Sequence, residues 1–106
     1  MLSFEDFKKI ELRIGRVVSV EDHPNADKLY VMKVDLGGEE RQLVAGLKKY
    51  YTADQLQGRL IVVVANLEPA VLRGVESQGM LLAAGEGDTV SILQPDAEIA
   101  PGAKVL

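Results

Sequence analysis

His23 is the only histidine in the 106-residue chain, and there is no cysteine. Thiolate nucleophiles, disulfide frameworks and thiolate metal sites are therefore excluded together. A cluster of several histidines around a metal is excluded as well. A hydroxyl nucleophile would be sought first at Ser3, Ser19, Ser77 or Ser91. None sits in a nucleophile elbow, since Gly74-Val75-Glu76-Ser77-Gln78-Gly79 has the wrong spacing. No spacing supports a Ser/His/Asp triad built on His23. Gly37-Gly38 and Gly85-Glu86-Gly87 lack the rest of any phosphate-loop signature and read as hairpin turns. Asp22 and Asp27 flank a loop and could hold a divalent ion weakly, but they read first as turn residues bonded to their own backbone. No residue set carries catalysis, a cofactor or a metal, so the expectation is not an enzyme.

Charge offers a different chemistry. Twelve basic side chains stand against sixteen acidic ones, a net charge of -4. Taken whole, that argues against a nucleic-acid partner, because binders usually carry a basic domain. The layout is uneven. Residues 41–80 hold five basic side chains (Arg41, Lys48, Lys49, Arg59 and Arg73) against three acidic ones. Residues 1–40 hold six against nine, and residues 81–106 one against four. Lys28 and Lys33 can join the basic middle through the second strand. Such a stripe reads either as a solvated strand face or as a platform for phosphates.

These side chains need elements to position them. The length predicts one domain over 1–106. The apolar fraction of 47% and charged fraction of 26% are ordinary for a globular protein. The acidic start, Met1 to Asp6, is not a signal peptide. The longest apolar run, Leu60 to Ala65, is far short of a membrane span. A cytoplasmic location and no membrane partner are expected. Ser3 to Lys9 reads as a short helix, with Ser3 as its cap, Lys8 and Lys9 in its last turn, and Phe4 and Phe7 on one apolar face. Leu12 to Val20 turns β, with Leu12, Ile14, Val18 and Val20 on one parity and a bulge or bend at Gly15-Arg16. Leu29 to Leu36 is the clearest strand, with Tyr30, Met32, Val34 and Leu36 inward. Arg41 to Ala45 follows the Gly37-Gly38 turn. Thr52 to Gly58 reads as one capped helical turn. Leu60 to Ala65 is a buried strand. Met80–Ala84 and Thr89–Leu93 form a last pair, and Pro95–Leu106 is irregular or a short edge strand. The pattern predicts an all-β, five-stranded Greek-key barrel of OB-fold type, with a short N-terminal helix and a helical turn between strands 3 and 4. A small β-sandwich is the alternative.

Four ordered motifs sharpen this. Asp22-His23-Pro24-Asn25-Ala26-Asp27-Lys28-Leu29-Tyr30, then Leu43-Val44-Ala45-Gly46-Leu47, Val63-Val64-Ala65-Asn66-Leu67 and Leu72–Ala83 resemble the hallmarks of the tRNA-binding domain family. That OB-fold module occurs at the C-terminus of many methionyl-tRNA synthetases and as a separate beta subunit. It also occurs in free-standing structure-specific tRNA-binding proteins and in the endothelial monocyte-activating polypeptide. The resemblance covers most of the chain and is strongest to the synthetase branch. It implies a non-catalytic, sequence-tolerant tRNA binder that recognises shape, working as a homodimer, with a methionyl-tRNA synthetase catalytic subunit as a further candidate partner. The monocyte-activating relatives carry an extra domain that imitates a second subunit; without one here, dimerisation is expected, with the Phe4/Phe7 face and the C-terminal segment as candidate surfaces and cover of the barrel's own end as the other reading of Phe4 and Phe7.

Within the resemblance, Lys28, Lys33 and Arg73 are the expected phosphate contacts. Asn25 and Asp27 are expected to fix the loop through backbone bonds, with Pro24 limiting its freedom. Ser77 and Met80 carry over as RNA-contacting positions, with a turn hydroxyl and a core methionine as the alternatives. Asn66 is expected to satisfy backbone groups. Tyr30 has inward parity, and Tyr50 and Tyr51 lie in a connecting segment, so no stacking set is evident. A free-standing tRNA-binding homodimer and a peptide-binding, chaperone-like module of the same fold remain as other readings. The chaperone relatives generally lack the His-Pro-Asn-Ala-Asp-Lys loop.

Overall fold

A computed structural model describes residues 1–106. In chain order the elements are α1 (Phe4–Phe7), β1 (Leu12–Asp22), β2 (Tyr30–Asp35), β3 (Glu40–Ala45), α2 (Ala53–Leu56), β4 (Leu60–Val64), β5 (Ala70–Leu72), β6 (Val75–Ser77), β7 (Met80–Leu81), β8 (Ala83–Glu86) and β9 (Thr89–Ile92). The main sheet has five antiparallel strands in the order β3-β2-β1-β4-β7. A meander of three strands followed by a fourth that returns beside the first is a Greek key. Arg41 links the two ends of this sheet, its Nη1 donating to the carbonyls of Ala65 (2.6 Å) and Gln78 (3.1 Å). The sheet thus becomes a nearly closed OB-like barrel.

Alternation decides the core. Tyr30, Met32 and Val34 on β2 are buried and pair with Ala45, Leu43 and Arg41 on β3. These three and Leu43 join Val17, Leu36, Leu47, Leu56, Ile61, Val63, Ala65 and Ile92 in one apolar cluster. Thr52 caps α2 through a reciprocal box with Gln55, which seats Leu56 under the barrel.

The long first strand corrects the expected register. The shift against β2 falls between Val17 and Ser19, not at Gly15-Arg16. Val17 therefore enters the core, while Val18, expected inward, is 43% exposed. Gly15 answers a different demand: a Cβ there would lie 2.6 Å from Val34 Cγ1 and 2.9 Å from Leu36 Cδ2.

Three further differences matter. Lys8 and Lys9 lie beyond the last turn of α1 and pair with Glu5 and Asp6. Met80–Ala84 is not one strand: Met80–Leu81 pairs with β4, and Ala83–Glu86 turns away to pair with β9. A hairpin, β5–β6, occupies a stretch with no expected strand. Ala70-Val71-Leu72 is too short to show alternation. The tail runs along the N-terminal part of β1 that β2 does not reach, with Ile14 N–H donating to Ala103 O and Gly102 N–H to Ile14 O. Asn66 ties the N-terminal segment to the barrel, accepting from Glu11 N–H (2.8 Å) and donating to Lys9 O (2.6 Å). No helix is long and apolar enough to cross a membrane.

Candidate nucleic-acid interface

The loop after β1 is organised by His23, whose imidazole is buried. Asn25 N–H donates to His23 Nδ1 at 2.9 Å. Nδ1 is thus an acceptor, so the proton sits on Nε2, which donates to Leu72 O at 2.9 Å. Asn25 Nδ2 donates to the neighbouring carbonyl, Arg73 O, at 3.3 Å. Two side chains of the loop therefore clamp the tip of the β5–β6 hairpin. His23 is the residue that sequence reasoning missed; its place beside Pro24 and Asn25 was the available signal. Asp27, expected to help fix the loop, makes no side-chain hydrogen bond and is exposed.

The hairpin tip is a two-residue turn, because Leu72 pairs with Val75. Arg73 and Gly74 both have positive φ, 53° and 88°. That is the requirement of a type I′ turn, which favours Asn-Gly. Arg73 is the only non-glycine residue of the chain in this region. A side chain there costs about 1–2 kcal/mol, and the Arg73 guanidinium makes no hydrogen bond or ion pair within the chain. The turn holds a long cation outward where a short polar residue would strain less.

The hairpin base is fastened to β3. Gln78 N–H donates to Gln42 O (2.7 Å), and Gln42 N–H donates to Gln78 Oε1 (2.9 Å). Ser77 Oγ accepts from Val44 N–H (3.0 Å) and donates to Gly79 O (2.9 Å). Ser77 is also buried, at 4% exposure. Those two bonds give the hydroxyl a positioning role between β3 and the turn, with one lone pair left beside them.

The remaining positions face solvent. Lys28 is exposed and carries no carboxylate partner. Lys33 lies on the outer face of β2 and donates to Gln42 Oε1 at 2.8 Å, while Gln42 Nε2 donates to Glu76 O at 2.8 Å. Met80 is 50% exposed, which sets aside its core alternative. Bonds from Asn25 to Arg73 and from Lys33 through Gln42 to Glu76 gather the loop, β2, β3 and the hairpin on one side of the barrel.

Pairing sharpens the charge map. Lys8, Lys9, Arg13, Arg16, Arg41 and Lys48 each have a carboxylate partner within 3.5 Å. The cations without one are Lys28, Lys33, Lys49, Arg59, Arg73 and Lys104. Most free positive charge therefore sits in the middle of the chain, although the total is acidic.

A Greek-key barrel with unpaired cations on a clamped loop and hairpin defines an OB-type binding module. The family model described as "Putative tRNA binding domain" matches residues 12–104. The chain belongs to the tRNA-binding domain family, whose members are non-catalytic modules. It is 68% identical over 104 residues to the methionine–tRNA ligase of Pyrococcus furiosus, covering 98% of this chain and 14% of that protein. It is 55% identical to the Thermotoga maritima ligase, again over 98% of this chain and 16% of the other. The chain thus spans about one-seventh of the length of these relatives. Among solved structures it is similar to a MetRS related protein from Pyrococcus horikoshii, with a TM-score of 0.93, 34% identity and coverage of 100% and 98% of the two chains. It is similar also to the chaperone CsaA from Bacillus anthracis, with a TM-score of 0.90, 32% identity and coverage of 100% and 99%.

Proposed function

We propose that the chain binds tRNA by shape and backbone, with little sequence preference, as the tRNA-binding appendage or beta subunit of a methionyl-tRNA synthetase. The family match along 12–104 carries the reading. Lys28, Lys33 and Arg73 bind phosphates, Met80 packs against a ribose or base, and Asn25 and His23 hold the loop and hairpin that present them. Phosphate contacts set position and orientation without reading bases. The benefit to a synthetase is avidity: a second, weak contact raises the effective concentration of tRNA at the catalytic subunit.

The working form is a homodimer in the cytoplasm. Phe4 (71% exposed), Phe7, Ile10, Val105 and Leu106 line an apolar groove of about 380 Å³. A four-residue helix is marginal alone; Lys8 Nζ lies over the Phe4 ring at 5.4 Å and Lys104 flanks the groove, but no apolar side chain of the chain closes it. A second copy covers this groove and gives the tRNA two cationic faces.

The likeness to CsaA favours a second reading, a peptide-binding module. Titration of whole tRNA, an acceptor minihelix, an unstructured RNA and an unfolded polypeptide separates the two. The tRNA reading expects whole tRNA to bind tightest. Equal affinity for unstructured RNA, or binding of polypeptide alone, overturns it.

A further inference from the structure

The connecting segment after β3 holds chemistry that the loop–hairpin face does not use. Lys48, Lys49, Tyr50 and Tyr51, with Thr52 and Gln55, line an open pocket of about 280 Å³. The segment is rigidly held. Tyr50 N–H and Tyr51 N–H both donate to the carbonyl of buried Leu47, each at 2.9 Å. Tyr30 Oη donates to Tyr51 O at 2.7 Å, and Tyr51 Oη accepts from Ile92 N–H at 3.1 Å. Two of the three tyrosines therefore have structural work. Tyr50 has none: its hydroxyl makes no hydrogen bond, and the residue is 37% exposed. Lys49 Nζ lies 5.9 Å from the Tyr50 ring centroid and has no carboxylate partner.

The pocket also sits at the right end of the barrel. Lys48 pairs with Asp22 at the end of β1, at 3.1 Å. Gly46 packs toward Leu29, the residue after Lys28, where a Cβ would lie 3.8 Å from Leu29 Cδ2. The segment is thus continuous with the cationic loop. Beside the cationic loop, a part-exposed aromatic ring on a fixed backbone, with a free ammonium over one face and the other face open, suits a nucleotide whose base is not stacked in a helix. The base lies on the ring and its phosphate meets the cation.

We infer that Tyr50 and Lys49 form a subsite for one unpaired nucleotide of the bound RNA, base on the Tyr50 ring and phosphate at Lys49. The inference rests on the tRNA reading above and extends it from backbone recognition to one stacking contact. A subsite of this kind selects a displayed base rather than a base sequence.

The test measures whole-tRNA affinity across a salt series for the parent chain, Y50F, Y50L, K49A and K28A, with thermal melting to show that each folds. Tyr50 is exposed, so its variants are expected to melt with the parent. Y50F keeps the ring and is expected to bind as the parent does. Y50L is expected to bind about tenfold more weakly with an unchanged salt slope, as for one lost stacked base. K49A is expected to reduce the slope by about one. Y50L binding as tightly as the parent, while K28A still weakens binding, overturns the subsite and leaves the tRNA reading standing. A folded parent that binds no tRNA overturns both.

Discussion

At the scale of the residue, the site depends on one neutral imidazole. His23 receives a backbone N–H on one nitrogen and gives its proton to a carbonyl on the other, 49 residues away in sequence. Removing it leaves the Asn25 amide and the Leu72 carbonyl without those partners. H23A is therefore expected to lose about 1–3 kcal/mol of stability in urea unfolding. It should also weaken tRNA binding severalfold with no change in salt slope, because no cation is lost. A full loss of one unit of slope would mean that His23 itself meets a phosphate. The exposure of Lys28 and Arg73 follows from residue type, whereas that of Met80 does not, because the sequence left a core methionine and a surface contact both open. The sequence could not display the fates of Ser77 and His23. Both depend on carbonyls and amides that only the folded hairpin brings near.

At the scale of the element, the β5–β6 hairpin and the bulged first strand set the geometry. The barrel strands were legible because alternation in β2 and the apolar run in β4 reflect burial directly. The hairpin was not, because three-residue strands leave too few positions for a period. The position of the bulge was also hidden. Gly15 signals either a bend or a close approach, and only packing against Val34 and Leu36 distinguishes them. G15A is expected to cost about 1–3 kcal/mol, read as a lower urea midpoint, since the added methyl overpacks the core. A neutral G15A would show that β1 can move aside. The turn makes an opposite case. R73N relieves the positive-φ strain and is expected to keep or raise the melting temperature. It should nonetheless weaken tRNA binding, because the cation is gone. Lower stability with full binding would reverse the roles assigned to Arg73.

At the scale of the whole molecule, the net charge of -4 says less than its pairing. Ion pairs at α1, at β1 and in the tail occupy Lys8, Lys9, Arg13 and Arg16. The loop, β2 and the hairpin keep theirs free. An acidic total with a cationic face predicts binding that is weak per site and sensitive to salt. In the proposed dimer, two sites would compensate through avidity. F7D places a charge in the apolar groove and is expected to shift the light-scattering mass from twice to once the 11.5 kDa of one chain. A parent already at the single-chain mass at micromolar concentration would remove the dimer from the account. The central claim is that the clamped loop and hairpin hold the phosphates of tRNA, and the salt dependence of tRNA affinity tests it most directly. The parent is expected to show a log–log slope of roughly -2 to -5. The double variant K28A/R73A is expected to bind more weakly, with the slope reduced by about two. A double variant with the parent's affinity and slope would contradict the account.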